Sequence, residues 1–169
     1  EPVRGGSLVT LCDEAVGILK GAEPDKSVAS WAIRFAASLE NVMMVLSGMS
    51  NMEQLTDNLD YMTEFKPLNE EEMAVVAKVK ATIEARTKNG CTGCAYCMPC
   101  PFGVNIPRNF YIWNESSMYG DLEKGKERYA RLAEGQASQC KLCGKCENVC
   151  PQSLPIREHL KLVAKDLGE

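Results

Sequence analysis

Eight of the nine cysteines fall in two short ladders. The first reads Cys91-Thr-Gly-Cys94-Ala-Tyr-Cys97-Met-Pro-Cys100-Pro101, the second Cys140-Lys-Leu-Cys143-Gly-Lys-Cys146-Glu-Asn-Val-Cys150-Pro151. Two-residue spacers let successive thiolates fold round one cube of iron and sulfide. The second ladder, C-x2-C-x2-C-x3-C-P, has the bacterial-type 4Fe–4S spacing, and the first ends one residue tighter. The alternative chemistry is zinc, with four thiolate ligands at each of two sites. Zinc ribbons usually draw C-x2-C pairs from separate knuckles, whereas three or four cysteines in one run and a paired Cys-Pro ending favour iron–sulfur. Disulfides fit less well, because thiols this close share a metal more readily than they close long loops.

In two-cluster ferredoxins the fourth cysteine of each ladder ligates the other cluster. By that logic Cys91, Cys94, Cys97 and Cys150 hold one 4Fe–4S cluster, and Cys140, Cys143, Cys146 and Cys100 the second. The shortened first ladder leaves this pairing open. Gly93 and Gly144 would let backbone amides approach cluster sulfurs. Met98, Phe102, Val104, Ile106, Val149, Leu154 and Ile156 would exclude water. Cys12, far from both ladders, reads as a buried thiol.

The elements that must position these ladders read as mainly helical. Ser7 could cap a helix to about Lys20, and Ser27 a second with Val28, Trp31, Ala32, Phe35 and Leu39 as its apolar stripe. Val42 to Leu46 is continuously apolar, the pattern of a strand buried on both faces. Gly48 breaks it, and Ser50-x-x-Glu53 makes a capping box for the next helix. Helix, buried strand, glycine turn and helix together read as a piece of an α/β protein. Asn69 should cap a helix to about Lys88, ended by Asn89-Gly90. After the first ladder, helices are expected from Pro107 to Met118 and from a cap at Asp121, and after the second from Pro155 to Leu167. This gives three segments: 1–66 with the strand, 67–89 as a connecting helix, and 90–169 as a helical two-cluster domain.

Composition narrows the partners. With a net charge of −4 and dispersed basic residues, nothing argues for nucleic acid. No apolar run approaches the roughly 20 residues of a membrane-spanning helix, and the N-terminus resembles no signal peptide. Cysteines arranged for metal and no export signal suggest the reducing cytoplasm. The chain starts at Glu1 rather than Met.

Tyr96-Cys-Met-Pro-Cys-Pro-Phe-Gly-Val-Asn-Ile-Pro107, followed by Cys143-Gly-Lys-Cys-Glu-x-x-Cys-Pro-Gln-x-Leu-Pro-Ile156, resembles the ferredoxin-type C-terminal extension of iron–sulfur aldo/keto reductase family proteins. The upstream region is similar to the same family. Glu1 to Leu8 resembles the loop after the seventh strand of a (β/α)8 barrel, Trp31-Ala-Ile-Arg-Phe35 the following helix, and Val45 to Asn58 the eighth strand with its cofactor-binding helix. The resemblance implies that Gly48, Ser50, Gln54 and Asn58 contact the adenosine-phosphate end of NAD(P), with Pro2, Val3 and Gly5 near its pyrophosphate. Without the family, Ser50 is a helix cap and Gly48 a turn. No Lys or Arg lies between Glu40 and Lys66 to favour NADP over NAD.

The family's catalytic Asp, Tyr, Lys and His belong to earlier barrel strands, and no segment here matches them. His159 reads as an exposed or capping residue, and Tyr61, Tyr111, Tyr119 and Tyr129 as packing residues. Two βα units of eight cannot close a barrel, so the expectation is a C-terminal part of a longer reductase, with no catalytic residue of its own. Its partner would be the missing barrel or a separate redox protein. Three functions follow: an electron-transfer part of an aldo/keto reductase-type oxidoreductase, a free-standing ferredoxin-like carrier, or a helical domain that clusters merely staple together.

Overall fold

The computed structural model describes residues 1–168. The chain forms two compact units, Glu1–Ala85 and the remainder from Arg86.

The first unit holds α1 (Asp13–Ala22), α2 (Val28–Ser38), α3 (Met52–Met62) and α4 (Glu70–Ala85). Ser27 caps α2, its Oγ accepting from the Ser30 amide at 3.0 Å, and donates to Asp57 on α3 at 2.6 Å. Asn69 and Glu72 form a reciprocal cap on α4: each side chain accepts from the other's amide, at 2.9 and 2.8 Å. Glu72 also pairs with Arg34 at 3.0 Å, while Glu23 takes the other arm of the same guanidinium. Arg34 lies 4.8 Å from the Trp31 ring centroid, a cation held between two carboxylates and an aromatic face. The buried side of α2 is therefore Ser30, Trp31, Ile33 and Arg34, while Leu39 is exposed. The helix expected over 67–89 packs on α1 and α2 as α4.

Two expectations for this unit fail. Helix α1 starts at Asp13, not Ser7, because Gly5 and Gly6 take positive φ and residues 3–9 close turns on one another. More consequentially, the strand expected over 41–47 is absent, and no strand exists among the described residues. The βα reading of 1–66 as a barrel fragment is therefore not what this chain builds. A strand needs a neighbour to receive its ladder of hydrogen bonds, and no second extended run in this unit supplies one. Met43, Met44 and Leu46 are 95%, 71% and 77% exposed instead.

The second unit packs α5 (Ile106–Tyr119), α6 (Leu122–Ala130) and α7 (Ile156–Gly168) together. Pro107 sits in the first turn of α5, Asn105 caps it, and Gly120 ends it with left-handed backbone, φ 74°. Asp121 then caps α6, accepting from the Lys124 amide at 3.1 Å. Val104, Phe110, Ile112, Leu160 and Val163 form a core with no more than 1% exposure each. Burying one such side chain contributes about 1.5–3 kcal/mol. Gly125 lets α6 approach α5, since a Cβ there would stand 2.6 Å from Ser116 Cβ. No helix is long and apolar enough to cross a membrane, among the described residues.

Candidate metal centre

The two ladders share one backbone plan. Counting from its first cysteine, each places left-handed residues at the second and fourth following positions: Gly93 and Ala95 (φ 71° and 63°), then Leu142 and Gly144 (φ 58° and 78°). Left-handed turns swing the intervening amides toward the cysteines, and the Leu142 amide donates to Cys140 Sγ at 3.4 Å. Each ladder also ends alike. The amides of Gly103 and Ser153 bond the carbonyls of Cys100 and Cys150, both at 3.0 Å, before α5 and α7 begin. The extra residue of the second ladder is taken up in the 3-10 turn Glu147–Val149, where the first ladder has only Met98-Pro99.

Side chains from the helices hold these loops. Asn114 on α5 accepts from the Lys88 and Asn89 amides at 3.0 and 3.1 Å and donates to the Asn89 carbonyl at 3.0 Å. Asn89 in turn accepts from the Cys91 amide at 3.0 Å. Below the second ladder, fully buried Asn109 donates to the Gly135 carbonyl at 2.8 Å and accepts from the Ala137 amide at 3.0 Å. Arg157 at the start of α7 grips Glu147 through its side chain and its amide. Arg157 holds the Glu147 carboxyl below its ordinary value, chiefly by hydrogen bonding.

The cysteines surround two cavities. Cys91, Cys94, Cys97 and Cys150 line the first, with Ile106, Phe110 and Ile156 among its apolar walls. Cys100, Cys140, Cys143 and Cys146 line the second, whose wall Cys97 also reaches. Burial pushes the Cys97 thiol up, and the neighbouring Cys91, Cys94 and Cys150 thiols push the same way against its own backbone hydrogen bond. Burial and then the Glu147 carboxylate push Cys146 up to about 11, with Cys140 adding to the shift. Such thiols release their protons when metal binds them.

This donor set suits a polynuclear cluster. At least four cysteines line each cavity, and the Leu142 amide bonds Cys140 Sγ, the kind of contact that tunes an iron–sulfur centre. No group of three or more His, Cys, Asp or Glu side chains converges on a single-ion point among the described residues.

The other sequence candidates fall elsewhere. Ser50 and Gln54 come together at the start of α3, with Gln54 Oε1 accepting from the Ser50 amide at 2.8 Å. The helix cap is Asn51, one residue later than expected, and it accepts from the Gln54 amide at 2.9 Å. Asn58 donates to Ser47 Oγ at 3.0 Å and accepts from the buried Tyr61 hydroxyl. Gly48 lies in the extended segment before them, with open space where a Cβ would stand. His159 is half-buried rather than exposed or capping, its ring about 6 Å from those of Phe110 and Trp113. Tyr61, Tyr119 and Tyr129 are buried, whereas Tyr111 is exposed between Arg108 and Arg128. Sequence reasoning missed Ala95 and Leu142 as turn residues; their matching places in the two ladders were the available signal.

Residues 90–154 match the 4Fe-4S dicluster domain, and residues 7–81 match the aldo/keto reductase family. No curated protein and no solved structure matched the chain. The chain thus joins a segment that matches the aldo/keto reductase family to one that matches a 4Fe-4S dicluster domain, a combination that suggests an iron–sulfur oxidoreductase component.

Proposed function

We propose that the second unit is a two-cluster electron-transfer module serving an aldo/keto reductase-type oxidoreductase. Cys91, Cys94, Cys97 and Cys150 hold one 4Fe–4S cluster, and Cys100, Cys140, Cys143 and Cys146 the other. One observation carries this reading: Cys91, Cys94 and Cys97 line one cavity with Cys150 of the other ladder, and Cys140, Cys143 and Cys146 line the second with Cys100, where Cys97 also reaches the wall. Bound clusters supply one-electron transfer. The chain's own part is to fix the thiolates, exclude water with Val104, Ile106, Phe110 and Ile156, and aim amides at sulfur.

In the first unit, Gly48, Ser50, Gln54 and Asn58 form the adenosine-phosphate subsite of NAD(P). This rests on the family match, on the Ser50–Gln54 hydrogen bond at the start of α3 and on the bond from Asn58 to Ser47, the residue before Gly48. Hydride transfer moves two electrons and a cluster one, so the redox partner is a one-electron carrier, not the nicotinamide itself. Catalysis by this chain alone is not part of the proposal.

A visible and EPR redox titration of the full chain, with iron and sulfide counted, tests the module. Two clusters per chain with reversible one-electron reduction are expected. Clusters inert to dithionite would leave them as staples of the helical fold, and zinc in place of iron would remove the reading altogether. Titration calorimetry with NAD+ and NADP+ tests the nucleotide subsite, which the absence of heat with either would refute.

A further inference from the structure

The two cavities differ in charge. None of the residues lining the first is charged. The second is lined by Lys141, Lys145 and Arg157. Arg157 is neutralised by Glu147 at 2.8 Å, but Lys141 and Lys145 have no ion-pair partner among the described residues. Both lysines are exposed. Next to them a shallow groove between the second ladder and α7 is lined by Leu142, Arg157 and Lys161 among others, and Lys161 is likewise exposed and without an ion pair. The groove also carries Glu147, which Arg157 neutralises, and Glu158; set against Lys141, Lys145 and Lys161, Glu158 leaves the whole rim with an excess of positive charge. This happens on a chain whose net charge is −4.

The apolar groups on this face are unusual as well. Phe102, Leu142 and Val149 are 45%, 42% and 50% exposed, whereas Ile106 and Leu160 at the back of the second cavity are buried. The sequence pattern predicts that Phe102 and Val149 exclude water, and they stand at the surface instead. An apolar centre with a charged rim is the anatomy of a docking patch, and charges on the rim mainly set encounter rate and partner choice. A cluster held by four thiolates is anionic, so an acidic protein could come near it only if local cations offset that charge.

We infer that the face formed by Phe102, Leu142 and Val149, rimmed by Lys141, Lys145 and Lys161, docks an acidic one-electron redox protein. The inference rests on the electron-transfer reading above. One electron passes between the cluster ringed by Cys100, Cys140, Cys143 and Cys146 and the partner's centre, one side being oxidised by one electron as the other is reduced. The second cavity is the exit, and the uncharged first cavity communicates through it.

Stopped-flow oxidation of the dithionite-reduced full chain tests this, using an acidic flavodoxin and a basic c-type cytochrome as acceptors. K141E/K145E should slow the flavodoxin reaction about tenfold or more at low salt. It should speed the cytochrome reaction, and the differences should shrink as salt screens them. Cluster content and EPR spectra should match the unaltered chain. Intact, reducible clusters with an unchanged flavodoxin rate and salt dependence would overturn the docking face alone. Clusters that cannot be reduced would instead overturn the electron-transfer reading beneath it. Self-association of the chain that K141E/K145E abolishes would reassign the face to a second copy and overturn the inference.

Discussion

Cys97 and Cys150 belong to different ladders yet face one cavity, and each thiol lies within electrostatic reach of the other. Cys150 follows the second ladder's three evenly spaced cysteines and lines the other ladder's cavity. Cys100 does the converse in the other cavity. This crossed arrangement gives the most direct test of ligation.

C150A should abolish the cluster that also uses Cys91, Cys94 and Cys97, and C100A the other. Iron per chain should fall to about half in each variant, consistent with one of two clusters lost. EPR of the reduced variants should show two different single-cluster spectra. C91A should leave the same residual spectrum as C150A; a C91A spectrum that matches C100A instead would refute the crossed pairing.

Asn109 is fully buried and binds three backbone groups: the carbonyls of Asn105 and Gly135 and the amide of Ala137. N109L fills the space but leaves the Ala137 amide without its acceptor. A loss of about 2–4 kcal/mol is expected in urea unfolding of the holoprotein. Because Ala137 leads directly into Cys140, the variant should also lose iron faster to a chelator.

Gly125 lies where α6 crosses α5, with Ser116 and Leu167 around the space a side chain would take. G125A should destabilise by about 1–3 kcal/mol through overpacking, despite the better helix propensity of alanine. G125A/S116G, which removes the opposing Cβ, should recover part of the loss in the same melt.

Burial raises the pKa of Tyr61 above its ordinary 10.0, Asp57 adds to the shift, and Arg34 opposes it. The folded value therefore exceeds the unfolded one. The stabilisation is fully present below pH about 10 and declines as pH rises toward the folded value. In an ultraviolet titration one of the five tyrosines should ionise last, and Y61F should remove that late phase.

How much of this was legible depended on whether the signal was local. Ser27, Asn69 and Asp121 cap the helices they precede because a short polar side chain and the next turn's amides are all a cap requires. The ladders were legible for the same reason: cysteine spacing alone limits what thiolates can share. The Val42–Leu46 run misled because a buried strand and an uncovered apolar segment look identical in composition. Only the presence of a neighbouring strand separates them, and that is a property of tertiary structure. The cap at Asn51 was missed by one residue because Ser50 and Asn51 are both good caps and Gln54 answers either. Asn109 carried no pattern at all, since two of its three partners, Gly135 and Ala137, lie on a loop reached only after two helices have folded.

The crossed cysteines also bear on how the second unit holds together. A group bound across the first cavity ties Cys91, Cys94 and Cys97 to Cys150, and one bound across the second ties Cys100 to Cys140, Cys143 and Cys146. Each tie closes a long stretch of chain that includes α5 and α6, removing loop entropy from the unfolded state as a cross-link does. The two closures are nested, so the first shortens the path for the second. Each bound group should therefore stabilise this unit, and loading one site should favour loading of the other without being required for it, as ligands that converge only in the native state couple binding to folding.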